Sequence, residues 1–408
     1  MEVRMRKGNG NPIREFRFLL WMFVMALFLV NCERNENGPS VRTEVIDRIP
    51  HVYNTEVPLK GEISLKVKEV LRIDLSAIDK EEPPLIRLAA KDGAGNTYLA
   101  DSRNVKVYKL DPGGRLVTTF LEKGQGPGEF PVIGDLQVFD DHVWIFGAWP
   151  MKIAKFSLDG EYIDEWKFPT FRNFYLRTLV VTGDRFLTVS YREEGENAGR
   201  IRVSALINAE EEFLTRIAED RNAGIFQIRT GEREGPATVS TNPLVASDIH
   251  HAYDRTSGFI YVCNNRVYEI QAKNREGTTG MVIHRAHRNV ILDDDTKESL
   301  LRSIAPRIPL EAKNQAKEQL PDTLNAIWGI SILPHGHLAV KRITGLESVE
   351  IDVFDGNGRF IYTILPSAEI PDLRDVMIFE NTIGIIVESE EKNSYVEYGV
   401  KNLKEIFD

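Results

Sequence analysis

The chain reads as an all-β protein, and three features of its 408 residues say so. Short apolar or alternating runs, four to a unit, are separated by turns rich in Asp, Gly and Asn. The unit recurs at a period of about 45 residues, and six copies are traceable. One further strand-like run, Val67–Leu75, stands ahead of the first unit with no local partner. A lone four-stranded sheet cannot bury both of its faces, whereas sheets stacked around an axis bury them against each other. The predicted architecture is a six-bladed β-propeller of four-stranded antiparallel blades over residues 61–408. The N-terminal run closes the ring, and a short helical insertion sits at 293–320.

At the N-terminus, Arg4, Arg6, Lys7, Arg14 and Arg17 form a basic leader, and Phe18–Val30 is a run of 13 uncharged, apolar residues. A membrane span needs about 20; this length suits the apolar region of a secretory signal, so residues 1–31 are expected to be a signal peptide. Leu29-Val30-Asn31-Cys32 resembles the bacterial lipoprotein box. That resemblance implies lipid on Cys32 and a membrane-anchored, exported chain, in the periplasm or at the cell surface. The rival reading is an uncleaved short anchor, which also leaves the remainder outside the cytoplasm. Residues 32–60 hold Asn35, Asn37, Gly38, Pro39 and Ser40 and little periodicity, and are expected to be a tether.

The only other cysteine, Cys263, lies in the strand-like run Phe259–Cys263 and reads as a buried, inert thiol. The net charge is −10, and the basic leader makes the rest more acidic still. An acidic surface opposes phosphate backbones, so nucleic acid is not an expected partner. With 42% hydrophobic residues the chain can bury a large core.

The first unit runs Ile86–Ala90, Thr97–Asp101, Val105–Leu110 and Arg115–Phe120, with Asp92-Gly93-Ala94-Gly95-Asn96 and Asp111-Pro112-Gly113-Gly114 as turns. Lys106–Val117 has a second copy in Lys152–Ile163 and a third in Glu350–Ile361. Lys123-Gly124-Gln125-Gly126-Pro127-Gly128-Glu129-Phe130 follows the first unit. Its glycines allow positive φ and its proline fixes φ, so it makes a defined turn. Glu129 is placed to accept the turn's N–H groups, and Phe130 to fill the gap between two sheets. A phosphate cradle would need Lys-Ser/Thr or a following helix, and Pro131 comes next instead. Gly231–Pro236 looks like a worn copy. The last unit runs out before a fourth strand, so a segment within Val67–Leu75 is expected to supply the outer strand of the final blade.

The stretch Asp92–Asp101 with Lys123–Phe130 after it resembles the NHL-type six-bladed β-propeller. More narrowly, it is similar to exported bacterial propeller lipoproteins that carry a Gly-x-Gly-Pro-Gly-Glu-Phe loop. The likeness covers residues 86–166 and 336–364. It implies the fold and an envelope setting, but no single activity. Some such propellers are metal lyases and others calcium lactonases, and their ligands have no residue-by-residue match here.

Between the fourth and fifth units, Lys297–Ala305 and Leu310–Leu320 have helix-forming composition with Pro stops. They are expected on one mouth of the ring, where their removal should leave the propeller folded. Asp293-Asp294-Asp295 lacks the spacing of a calcium loop and reads as a helix cap. His250-His251, His284-x-x-His287 and His335-Gly336-His337 are the metal candidates, and structural roles are the simpler reading. Glu210–Glu212 and Glu388–Lys392 read as solvated turns, and Trp144 and Trp149 as inter-blade packing. No nucleophile motif is present. The expected function is a non-catalytic module that binds a protein, peptide or carbohydrate, with no cofactor, catalytic residue or metal ligand assigned. The alternative is a metal-dependent lyase or lactonase with ligands around the central channel.

Overall fold

The computed structural model describes residues 40–401, apart from 80–82, 149–150, 168–173, 183–184, 194–199, 209–212, 222–225, 229–237, 241, 307–311 and 389–392. Cys32, Trp149 and Gly231–Pro236 lie outside the described residues. The chain opens with β1 (Val41–Ile46), β2 (Ile49–Asn54), β3 (Glu62–Ser64), β4 (Val67–Asp74) and a helical turn, α1 (Leu75–Ile78). Blade 1 is β5 (Ile86–Lys91), β6 (Thr97–Asp101), β7 (Lys106–Leu110) and β8 (Leu116–Phe120). The glycine loop pairs β9 (Glu122–Lys123) with β10 (Glu129–Phe130). Blade 2 is β11 (Ile133–Phe139), β12 (His142–Ala148), β13 (Met151–Ser157) and β14 (Tyr162–Lys167). Blade 3 is β15 (Phe174–Thr182), β16 (Arg185–Glu193), β17 (Arg200–Asn208) and β18 (Phe213–Asp220).

A small hairpin, β19 (Phe226–Ile228) with β20 (Thr238–Ser240), follows. Blade 4 is β21 (Ile249–Tyr253), β22 (Ile260–Asn264), β23 (Glu269–Lys273) and β24 (Thr279–Arg285). Helices α2 (Asp294–Ile304) and α3 (Lys313–Glu318) lead to blade 5: β25 (Ile327–Ile332), β26 (Leu338–Ile343), β27 (Val349–Phe354) and β28 (Phe360–Leu365). Blade 6 is β29 (Met377–Ile378), β30 (Thr382–Glu388) and β31 (Asn393–Val400), completed by β4. The fold is a six-bladed β-propeller.

The ring closes as the sequence predicts. Strand β4 runs antiparallel to β31 from Val67 opposite Val400 to Asp74 opposite Ser394. Glu397, 2% exposed, ties this last blade to the first. It accepts from Tyr395 Oη at 2.8 Å, from Thr97 Oγ1 at 3.0 Å and from Lys91 Nζ at 2.7 Å. A buried carboxylate with three donors is compensated for its desolvation.

The repeated turns share one chemistry. Asp111 Oδ1 accepts from Gly113 N and Arg115 N, both at 2.9 Å, while Arg115 Nε reaches Asp111 Oδ2. Asp355 does the same for Asn357, Arg359 and the Arg359 guanidinium. These Asx turns pin each hairpin's register.

Residues 41–54 correct the tether expected over 32–60. They form a hairpin whose second strand pairs in parallel with β24, widening blade 4 to six strands. The turn residues Asp47 and Arg48 take φ of 50° and 67°, although they are not the Asn-Gly or Asp-Gly pair that marks such turns in a sequence. β3 adds a fifth strand beside β28. Asn54 fastens the hairpin, donating to His284 O and Gly358 O and accepting from Phe360 N.

The two helices fall close to their predicted spans. Asp293 caps α2 by accepting from Thr296 N at 2.8 Å, as read from the sequence. They do more than shape a mouth. Leu300, Leu301 and Ala316 pack with Leu65, Leu324, Ile343, Val349 and Ile351 in one buried cluster.

Candidate functional site

The glycine loop is a built structural joint. Gly126 N donates to Glu129 Oε2 at 2.9 Å, and Gly128 N to Glu165 Oε2 at 2.9 Å. Lys152, fully buried, donates to Gly126 O and to Glu165 Oε2, both at 2.8 Å. Burial pushes the Glu165 carboxyl up, but Lys152, Gly128 N–H and Lys167 outweigh it and hold it below its ordinary value. Phe130 is fully buried between blades 1 and 2, among Tyr98, Val107, Val143 and Ile145. A Cβ on Gly147 would meet its ring at 2.2 Å. Gly126 and Gly128 N–H are thus spent on carboxylates of the protein, and Gly124 and Glu129 N–H on the carbonyls of Phe130 and Gly126, so these four donors are not free to cradle an anion.

The histidine pairs do not converge. His251 Nδ1 lies 3.0 Å from Ser204 Oγ of blade 3. His284 stacks on Tyr53 at 4.5 Å and meets His51 at 3.0 Å, so it anchors the N-terminal hairpin. His287 lies beyond β24 beside Tyr268, and burial, then Arg342 and Arg285, push it down to about 4. His335 occupies a turn at φ 64°. Among the described residues no three His, Cys, Asp or Glu side chains are placed to share a metal ion. Trp144 is 3% exposed and stacks on Trp166, with Phe186 of blade 3 against both. Cys263 is buried.

The open chemistry lies where the innermost strands begin. Four of those strands carry a β-bulge at their second or third residue: Arg87 in β5, Gly134 in β11, Leu176 in β15 and Trp328 in β25. A bulge unpairs one residue and re-aims its side chain, which is why bulges cluster beside functional sites. Two clefts open at this end. One, of about 810 Å³, is lined by residues including Arg87, Lys341, Arg374, Asp372 and Met377. The other, of about 470 Å³, follows β25 along the channel past Trp328, Ile330, Ile332, His250 and Phe379. They share Lys341, Arg374, Val376 and Met377.

Lys341 stands in the partition between them. Its ammonium donates to Arg374 O at 2.6 Å and Val376 O at 3.3 Å. Burial pushes it down to about 8, against the opposing pull of Asp375 and Asp372. Arg374 is held by Asp372 at 2.6 Å, and its guanidinium lies 5.8 Å from the Trp328 ring. Arg72 is taken up by Glu69 at 2.6 Å. Arg87 is exposed and makes no hydrogen bond or ion pair among the described residues. Gly329 lines the channel cleft, and a Cβ placed on it would meet nothing within 4 Å. Sequence reasoning singled out none of Arg87, Trp328, Lys341 or Arg374. Each looks like an ordinary strand or loop residue, and only the bulges and the closed ring bring them together.

Residues 88–216 match a family model described as a six-bladed β-propeller, DUF5128. Among solved structures the chain is similar to an exported protein, designated putative, from Bacteroides fragilis, at 13% identity over 88% of this chain and 94% of that one, TM-score 0.45. It is also similar to a DUF4221 family member from Bacteroides vulgatus, at 8% identity over 83% and 99%, TM-score 0.47. A gluconolactonase from Xanthomonas campestris aligns at 12% identity over 84% and 97%, TM-score 0.42. No curated protein matches. Among the described residues no helix is long and apolar enough to cross a membrane.

Proposed function

We propose that this is a non-catalytic recognition module, a propeller of the NHL type. It is exported on the leader of residues 1–31 and held at the envelope by lipid on Cys32. Its ligand, a protein segment, peptide or carbohydrate, enters the mouth where the inner strands begin. The observation that carries this reading is the pair of clefts joined through Lys341, Arg374, Val376 and Met377. Together they offer a polar rim leading to an apolar and aromatic channel wall, the composition expected of a ligand pocket. The rival reading, a metal-dependent lyase or lactonase, requires several side chains converging on one ion. Elemental analysis of the purified protein separates the two, since a stoichiometric divalent metal favours the enzyme.

The binding test is Gly329→Leu. This change fills the channel cleft from a position with free space around its Cβ. The protein and the variant are presented to arrays of defined peptides and envelope glycans. Binding lost in Gly329→Leu at an unchanged melting temperature supports recognition at the mouth. Binding that survives the filled cleft places recognition elsewhere.

A further inference from the structure

We infer that the ligand of this mouth is an anion, its carboxylate or phosphate received by Arg87 and Lys341 while its apolar body packs on Trp328. The inference rests on the recognition reading above and names the chemistry of what is recognised. Arg87 is a bulge residue of β5 that lines the larger cleft. Its guanidinium is exposed and has no partner among the described residues. The other cations of that cleft differ from it: Arg72 is matched by Glu69 and Arg374 by Asp372. Lys341 spends two of its three N–H groups on the carbonyls of Arg374 and Val376. The third remains for an acceptor, in a partition that opens on both clefts.

Glu369, Asp372 and Asp375 also line the larger cleft, and Asp372 is already engaged by Arg374. The acids therefore limit how much charge the mouth accepts, which favours one anionic group over a polyanion. Trp328, the bulge residue of β25, lines the channel cleft that Lys341 also borders. A ligand whose anion sits between Arg87 and Lys341 thus has the indole within the adjoining cleft.

The test is calorimetric titration of the full-length protein in mild detergent with four probes. Glucuronate and glucose 6-phosphate carry the two anion sources on one ring, glucose is their neutral counterpart, and inorganic phosphate is an anion without a ring. A charge-assisted pair adds roughly tenfold or more in affinity. At least one of the two charged sugars is expected to bind about tenfold more tightly than glucose, and which one does identifies the anion. Arg87→Gln should remove most of that preference, and added salt should weaken it. Trp328→Ala should weaken charged and neutral sugars alike. Equal binding of glucose, or a preference untouched by Arg87→Gln, overturns the anion inference while leaving recognition at the mouth standing. No binding by any probe also overturns it, and the Gly329→Leu array result then decides separately whether the mouth recognises anything. In a parallel readout, amine acylation of Lys341 should be slowed by the binding anion and restored when Arg87→Gln is used.

Discussion

Replacing Lys152 by Met asks how much the joint between blades 1 and 2 depends on one buried charge. Lys152 is fully buried and Glu165 nearly so, 2.8 Å apart. Removing one partner of such a pair costs about 3–5 kcal/mol, because the other is left charged and poorly solvated. Here Glu165 keeps Gly128 N at 2.9 Å and Lys167 Nζ at 2.9 Å, which places the loss at the lower end. Gly126 O loses the Lys152 ammonium as a donor, and Phe130 loses that ammonium 4.7 Å from its ring, which raises it again. The expected loss is about 3 kcal/mol. Urea unfolding followed by far-UV circular dichroism measures it as a lower midpoint at an unchanged slope. The double change Lys152→Met with Glu165→Leu, which removes both charges, should recover more than half of the loss. A loss under about 1 kcal/mol, the size of an exposed pair, would refute the joint. So would stabilisation of the parent protein by inorganic phosphate that Lys152→Met abolishes.

Three further outcomes follow from the same structure. The Lys341 amine is pushed from 10.5 to about 8 by burial, so between those values the unfolded chain holds the proton that the folded one has lost. This group's contribution is full above about 10.5 and lost as pH falls through about 8. It amounts to something on the order of 3 kcal/mol, and urea midpoints from pH 7 to 10 should rise in the parent and flatten in Lys341→Met. Leu300→Ala should cost about 2–5 kcal/mol in the same assay, because Leu300 is 1% exposed in the cluster with Leu324 and Ile343. Deleting 293–320, which the sequence alone suggests is harmless, should for that reason lower the melting temperature steeply.

The legible part of this fold was the part written in periodic turns. Asp92, Asp111 and Asp355 bind their own turns through the same side-chain contacts, and Asp111 and Asp355 hold the same turn, between the third and fourth strands, in blades 1 and 5. Strand β4 was legible for the opposite reason: a strong strand pattern with no neighbour needs a distant partner. The hairpin of residues 41–54 was hidden because Asp47 and Arg48 adopt positive φ without glycine, and because its pairing partner β24 lies over 200 residues away. The helical insertion was legible as helix but not as core, since burial of Leu300 depends on Leu65 and Ile343, which no local pattern connects. The mouth was not legible at all. Arg87 and Trp328 face it through bulges, each an offset of one residue in pairing that alternation cannot reveal.

The ring of six sheets is fastened by a strand from the other end of the chain. Amide hydrogen exchange of residues 67–74 tests it directly. β4 is the edge strand of its sheet, paired with β31 from Val67 to Asp74, so the alternate amides that point at β31 should exchange slowly and be released together with those of β31 in one opening event. Exchange of every amide of 67–74 within seconds, while β31 stays protected, would mean that the ring is fastened in some other way.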